Sequence, residues 1–300
     1  ATLSKPAPNG WLVNLMSAGQ IVAGGYLHTV VLGKDGFYRI DLSAVKSGIK
    51  LDAIRIAFKN PADALTAEFS EFQLESNPYA GLSNLTQGAH VEFSISPDYP
   101  YCTDSGDSSD LTDGKINSTD KIWMNKGTVG FRSATAPEIT IDLGEPRDIG
   151  TVRFHTGAGM FGVYWPTAIN VFAACDREKW GFAGEMVAPN REKLPEYNTG
   201  LFNLWLDLPL NVNARYLKFV INCDGMFSFC DEIEVYSPAP GTPCRQIDEL
   251  AIFQAENGDI ARQAACYRGV MRDVALVRAN AARFGVETAV EGQRYTDDFS

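Results

Sequence analysis

The sequence predicts an all-β protein built on an antiparallel β-sandwich, and three observations carry that expectation. About seven short segments of alternating apolar and polar residues follow one another between residues 88 and 237, with turn residues between them. The stretch Ile149–Asp176 is two such segments joined by a long aromatic loop. Hydrophobic residues make up 45% of the 300-residue chain and charged residues 21%, so there is enough apolar side chain to fill a core.

The predicted strands of the main block are His90–Ser94, Glu138–Leu143, Thr151–His155, Ala168–Ala173, Phe202–Leu206, Tyr216–Asn222 and Glu232–Tyr236. In the third, Val152 and Phe154 alternate with Arg153 and His155, the pattern of a half-buried strand. Residues 1–80 form an extra N-terminal β region, part of a sandwich or an addition to the main one. Its strand-like stretches are GQIVAGGYLHTVVL, GFYRIDL, LDAIRIAF and AEFSEFQLES, set apart by turn residues at 33–36, 47–48 and 60–61. SPAPGTP (237–243) is a linker. Residues 244–300 then hold one more strand, in IDELAIFQ, and an amphipathic C-terminal helix over Asp259–Phe284. Ile260, Ala264, Tyr267, Met271, Val274, Val277, Ala281 and Phe284 make its apolar stripe, with Asp259 as N-cap and Gly285 beyond its end.

A formal net charge of −11 argues against nucleic acid or an anionic membrane surface as partner, and fits a neutral ligand or a cation. No run of about 18 apolar residues is present, so no insertion into a membrane is expected. Six cysteines and few lysines suggest a secreted protein, extracellular or periplasmic, with disulfides. Cys223 with Cys230 is the first candidate pair, then Cys244 with Cys266 and Cys102 with Cys175. Gly157, Gly159 and Gly162 match a dinucleotide fingerprint, but VYWP follows them instead of a helix.

The loop after the third strand carries Met160, Phe161, Tyr164 and Trp165 among three glycines. Four large apolar residues in a glycine-rich loop point to one wall of a binding site. Four motifs then occur in order: Leu111-Thr112-Asp113-Gly114-Lys115 with Asn117-Ser118-Thr119, APEITIDLG (136–144), VRFHTG, and ARYLKFVI followed by DEIEVY. Over about residues 85–237 this order resembles the discoidin, or coagulation-factor C-type, domain of the galactose-binding-like jelly rolls. That family includes the family 32 carbohydrate-binding modules.

The resemblance implies a calcium ion under the Asp113-Gly114 turn, held by Asp113, the Lys115 carbonyl, Ser118 or Thr119, and Glu232. The tryptophan of the family pattern falls later here, at Trp123. The other reading of this segment is a turn in which Asp113 bonds its own backbone. The resemblance further implies a sugar site on one rim, between the loop 155–165 and the loop CDGMFSFCD (223–231). Phe161, Tyr164, Trp165, Phe227 and Phe229 are the candidate platforms for the C–H face of a pyranose. His155, Asp224, Arg132 and Asn125 are the candidate partners for its hydroxyls. The expected function is non-catalytic binding of a glycan or polysaccharide, alone or as the leading part of a glycoside hydrolase or lyase. The alternatives are a protein–protein adhesion domain using the same rim, or a hydrolase using Glu232 and Glu234, which share one strand face.

Overall fold

The computed structural model describes residues 2–3, 11–26, 50–58, 67–68, 78–116, 121–132, 136–188, 201–223 and 226–254. Among the described residues of the N-terminal region five strands are seen: β1 (Thr2–Leu3), β2 (Trp11–Ser17), β3 (Gln20–Tyr26), β4 (Ala53–Phe58) and β5 (Ala67–Glu68). β3, β2 and β4 form an antiparallel sheet in that order, and β1 pairs with β5. The predicted stretches at 19–32 and 51–58 supply β3 and β4. β2 was not among the expected strands, and the stretch GFYRIDL lies outside the described residues.

The main block contains β6 (His90–Phe93), β7 (Val129–Arg132), β8 (Glu138–Gly159), β9 (Ala168–Ala174), β10 (Lys179–Val187), β11 (Leu201–Asn222), β12 (Phe227–Cys230), β13 (Glu232–Tyr236) and β14 (Ala251–Gln254). Its frame is the antiparallel ribbon of β8 and β11, each 22 residues long. The first part of β8 (138–142) pairs with β6 on one side and with β11 (216–220) on the other. β11 then pairs with β9, β9 with β10, and β10 with β14. The later part of β8 (151–155) lies between β13 and the early part of β11.

This ribbon has to fold over on itself. Phe154 is paired with Leu206, and Phe219 lies on β11 thirteen positions beyond Leu206. In a straight strand that separation is about 43 Å, yet the rings of Phe154 and Phe219 are 6.2 Å apart. The bend falls where the register shifts, between Pro209 and Val212 and between Ala214 and Tyr216. There Gly144 (φ 84°) and Asn211 (φ 49°) take up positive φ. A five-stranded layer extended by β14 thus faces a three-stranded layer, which is the β-sandwich.

Alternation decides what lies between the layers. Val91, Ile139, Ile141, Ile169, Val171, Leu217, Phe219 and Ile221 from the larger layer meet Val152, Phe154, Leu204, Leu206, Ile233 and Val235 from the smaller in one buried cluster. Phe154→Ala should therefore cost about 3–5 kcal/mol of unfolding free energy. Urea unfolding would measure that loss, and a loss below about 1 kcal/mol would mean that the layers do not meet at Phe154.

Several expectations need correction. Glu138–Leu143 and Thr151–His155 are one strand, because Arg147 and Asp148 continue the pairing opposite Ala214 and Asn213. The predicted strands at 202–206 and 216–222 merge in β11 for the same reason. β7, β10 and β12 were not expected, and β12 lies within a stretch read as loop. No disulfide joins the five described cysteines, Cys102, Cys175, Cys223, Cys230 and Cys244, to one another, so the Cys223–Cys230 and Cys102–Cys175 pairs are not formed. Cys223 and Cys230 each turn the thiol to a backbone carbonyl, those of Ile221 and Glu232. Cys266 and the predicted helix at 259–284 lie outside the described residues.

Candidate functional site

At one end of the sandwich, four segments meet around a second, smaller apolar cluster. Cys102, Ile122, Trp123, Val163 and Phe229 form its buried centre, with Tyr99, Met160 and Phe227 packed against it. The Tyr99 ring meets Phe229 at 4.8 Å and Phe227 at 5.4 Å, both edge to face, and Trp123 lies 6.0 Å from Phe229. Absent side chains let the segments approach. A Cβ on Gly157 would come within 2.6 Å of Ile122, and one on Gly130 within 2.7 Å of the Cys102 sulfur.

The loop after β8 is pinned at both ends. The Gly159 N–H donates to the Val163 carbonyl at 2.9 Å, and Val163 is buried. Between them Met160–Gly162 make one tight turn in which Phe161 adopts φ 65°. A non-glycine residue pays about 1–2 kcal/mol for the left-handed region. Burial does not offset that cost, since Phe161 is 71% exposed. The Lys121 ammonium lies 5.0 Å from its ring centroid. Met226 (61% exposed) stands beside Phe227 at the start of β12, and Met124 and Tyr101 are exposed on the other two segments.

The remaining expected ligand residues divide by burial. Phe227 is half-buried, in register with Arg132 on β7. Arg132 is exposed, and its Nε lies 3.6 Å from Asp98. Asn125 is exposed and accepts the Gly127 N–H at 3.2 Å. Tyr164 is half-buried against the main core.

Three expected ligand residues are core residues instead. Trp165 is 4% exposed inside the main core. Phe229 is buried at the centre of the rim cluster. His155 is 3% exposed, with Nδ1 2.5 Å from the Asp231 carboxylate and its ring 4.9 Å from Trp205. For His155 and Phe229 the cause is that β8 runs on to Gly159 and β12 occupies a stretch read as loop, so both fall on covered strand faces; Trp165 lies between strands and follows the buried Val163 inward. Asp224 lies outside the described residues.

The segment expected to hold a cation sits beside the rim. Asp113 accepts the Lys115 N–H at 2.8 Å and pairs with the Lys115 ammonium at 2.5 Å, so it does bond its own turn. Glu232 is 1% exposed. One of its oxygens accepts the Gly114 N–H at 2.9 Å, and the other, Oε1, is buried without a hydrogen-bond partner. Burial above all, and then the neighbouring carboxylates Glu234, Asp113 and Asp231, raises the Glu232 carboxyl to about 9. An unpartnered buried carboxylate oxygen next to a second carboxylate is a donor set that fits a hard cation. Ser118 and Thr119 lie outside the described residues.

Asp113 also lines a cavity of about 390 Å³ with Asp104, Asp110, Lys115 and Asn125. Carboxylate oxygens of Asp104, Asp107 and Asp110 lie within 4.8 Å of one another there. Two of these carboxylates are already engaged by the turn, which donates the Gly106 N–H to Asp104 and the Asp104 N–H to Asp107.

Glu232 and Glu234 do share the outer face of β13, as the strand period requires. Glu234, however, is bonded to Arg153 at 2.9 Å, and Arg153 also holds Asp207 at 2.7 Å. The guanidinium lies over Trp205 at 4.2 Å and over Tyr79 at 4.5 Å. One carboxylate is thus buried and the other is committed to a structural pair.

No protein-family model matches the sequence, and no curated protein matches it. Among solved structures, a Streptococcus pneumoniae fucose binding module is 18% identical. The likeness covers 54% of this chain and 99% of that one, at a TM-score of 0.37. The lectin domain of lectinolysin complexed with Lewis B antigen is 14% identical, over 52% of this chain and 98% of that one, with a TM-score of 0.36. The Clostridium perfringens module CpGH89CBM32-5, in complex with GalNAc-β-1,3-galactose, is 18% identical over 52% and 100%, with a TM-score of 0.35. Against SpGH29 the likeness spans 28% of that chain's length, at 16% identity and a TM-score of 0.32. Sugar-binding modules thus recur among these structures. The sandwich itself follows from the strand pairing.

Lys121, Met124, Tyr99 and Tyr101 were not among the expected site residues. Tyr99 and Tyr101 stand out in the sequence as aromatics in a Ser/Asp-rich stretch, but nothing local marks Lys121, which reaches the rim through the buried Ile122 that follows it.

Proposed function

We propose that this chain is a non-catalytic carbohydrate-binding module, secreted to an extracellular or periplasmic compartment, that holds a glycan or polysaccharide at the Phe161 rim. The observation that carries the reading is Phe161 itself. It is held outward in a left-handed conformation, above an aromatic cluster that fixes the surrounding backbone. Such a ring offers a flat apolar platform to the C–H face of a sugar, with Arg132 and Asn125 as nearby polar side chains for hydroxyls. A calcium ion, held by Asp113, the Lys115 carbonyl and Glu232, would stiffen the adjoining turn and neutralise its carboxylates.

A glycan array followed by affinity electrophoresis tests the reading. Binding to at least one glycan is expected, displaced by the free sugar, and weakened about tenfold in Phe227→Ala. If no glycan is retained while a protein partner is captured in a sugar-insensitive way, the rim is an adhesion surface instead.

A further inference from the structure

We infer that the turn from Asp104 to Asp110 is a site for a divalent cation of the calcium class, held by the carboxylates of Asp104, Asp107 and Asp110 and separate from the position between Asp113 and Glu232. The inference does not depend on the reading of the rim as a sugar site. Acidic side chains often gather on a surface without an ion, and three features set this group apart.

The first is closeness under burial. One carboxylate oxygen from each residue lies within 4.8 Å of the other two, and Asp107 is only 6% exposed. Like charges that close repel, more so away from water. Burial above all, with Asp104 as a neighbouring charge, raises the Asp107 and Asp110 carboxyls above their ordinary range.

The second is a set of buried oxygens without partners. Asp110 Oδ2 is shut off from solvent and has no hydrogen-bond partner, and the same holds for the hydroxyls of Thr103 and Thr128. Thr128 is wholly buried. It immediately precedes β7 and shares the face of Gly130, whose missing Cβ would stand 2.7 Å from the Cys102 sulfur, so it faces the segment that leads into the turn. Lys126 joins the two segments by donating to the Thr103 carbonyl at 3.0 Å. Buried polar oxygens without partners mark a place for an ion and its waters.

The third is the space kept at Gly106. Its φ of −88° suits any residue, yet a Cβ there would stand 3.0 Å from Asp104 Oδ1 and 3.3 Å from Asp110 Oδ1. The two carboxylates close over the glycine, and both line the cavity of about 390 Å³. The turn takes one oxygen of Asp104 for the Gly106 N–H and one of Asp107 for the Asp104 N–H. The second oxygen of each remains for a ligand bond, and water completes the shell of a hard cation. Lys115 is paired with Asp113. Lys126 alone then faces Asp107, and three carboxylates against one ammonium leave the charge that a divalent ion balances.

The test is a calcium titration of the whole chain followed by amide NMR. The amides of residues 105–110 should shift with a dissociation constant on the order of 1 mM, the weak end for extracellular modules. An ion held that loosely adds little to the melting temperature. The shifts should persist in Glu232→Gln. Asp110→Asn, and Asp104→Asn, which keeps an oxygen for the Gly106 N–H, should each weaken binding at least about tenfold. Gly106→Ala should weaken it too, by filling the space between the carboxylates. In chelator, both Asn variants should melt at or above the parent temperature, because a like charge is gone. Amides 105–110 that stay still up to about 10 mM calcium overturn the inference. So do shifts that survive Asp110→Asn unchanged, or that vanish in Glu232→Gln. A lower melting temperature of both Asn variants in chelator also overturns it, since the carboxylates would then serve the turn instead of an ion.

Discussion

Phe161→Ala is expected to lower glycan affinity by at least about tenfold with no loss of stability, and Phe161→Gly to do the same while holding or raising the melting temperature. The two halves of this result have separate causes. The ring is 71% exposed, so removing it uncovers little buried surface and leaves no cavity. Its loss removes the platform, and stacked aromatic contacts are large contributors at small interfaces. Glycine goes further because it occupies φ 65° without the steric cost that phenylalanine bears, about 1–2 kcal/mol. Part of that relief is offset by the greater freedom of glycine in the unfolded chain, so a net change between zero and about +1 kcal/mol is expected. Ala18 and Arg177 are also exposed at positive φ, so the conformation alone marks no site; it is the large exposed ring that nominates Phe161. Thermal unfolding and a binding isotherm on the same samples check both halves. A Phe161→Gly protein that unfolds 2 kcal/mol more easily (~5 °C lower) would show that the ring packs after all. Undiminished binding in both variants would move the site elsewhere.

The sequence made the sandwich legible because alternation survives in single strands. Val152 and Phe154 point inward and Arg153 outward, as their spacing suggested. It was less informative about where strands end. Gly144-Glu145-Pro146-Arg147-Asp148 has the composition of a turn, yet part of it is paired to β11, because a folded-over ribbon can stay paired through its bend. Misjudged strand ends also account for two of the misplaced site residues. Once β8 runs to Gly159 and β12 begins at Phe227, His155 and Phe229 fall on covered strand faces. Trp165 follows the buried Val163 into the core. Phe161 could be nominated from composition, but its outward pose depends on a φ value that no residue pattern announces. Lys121 was invisible because its neighbour across space is 40 positions away in the chain.

The stability of the protein in chelator should fall as pH rises from about 5 to 9, and calcium should abolish that fall. Glu232 is the reason. Its ordinary carboxyl value is 4.5, and burial raises it to about 9 in the folded chain. Below about pH 4.5 the carboxyl is protonated in both states and costs nothing. Between 4.5 and 9 the unfolded chain releases the proton and the folded chain keeps it, so each step in pH favours unfolding. Above 9 the folded chain ionises too and the loss is complete. Glu92 and Asp142 are shifted the other way, first by hydrogen bonds from Arg177 and Arg215, and act at more acid pH, whereas burial raises Asp107 and Asp110 and adds to the slope in the same direction. A drop in melting temperature on the order of 10 °C between pH 5 and 9 is expected. A bound cation takes the place of the proton, supplies the unpartnered Oε1 with a ligand bond, and stabilises by mass action. Glu232→Gln keeps an oxygen for the Gly114 N–H but cannot ionise. It should show a much smaller pH slope in this window and little response to calcium. A flat profile for the unsubstituted protein in chelator would mean that water reaches Glu232, and a calcium shift that persists undiminished in Glu232→Gln would place the ion elsewhere.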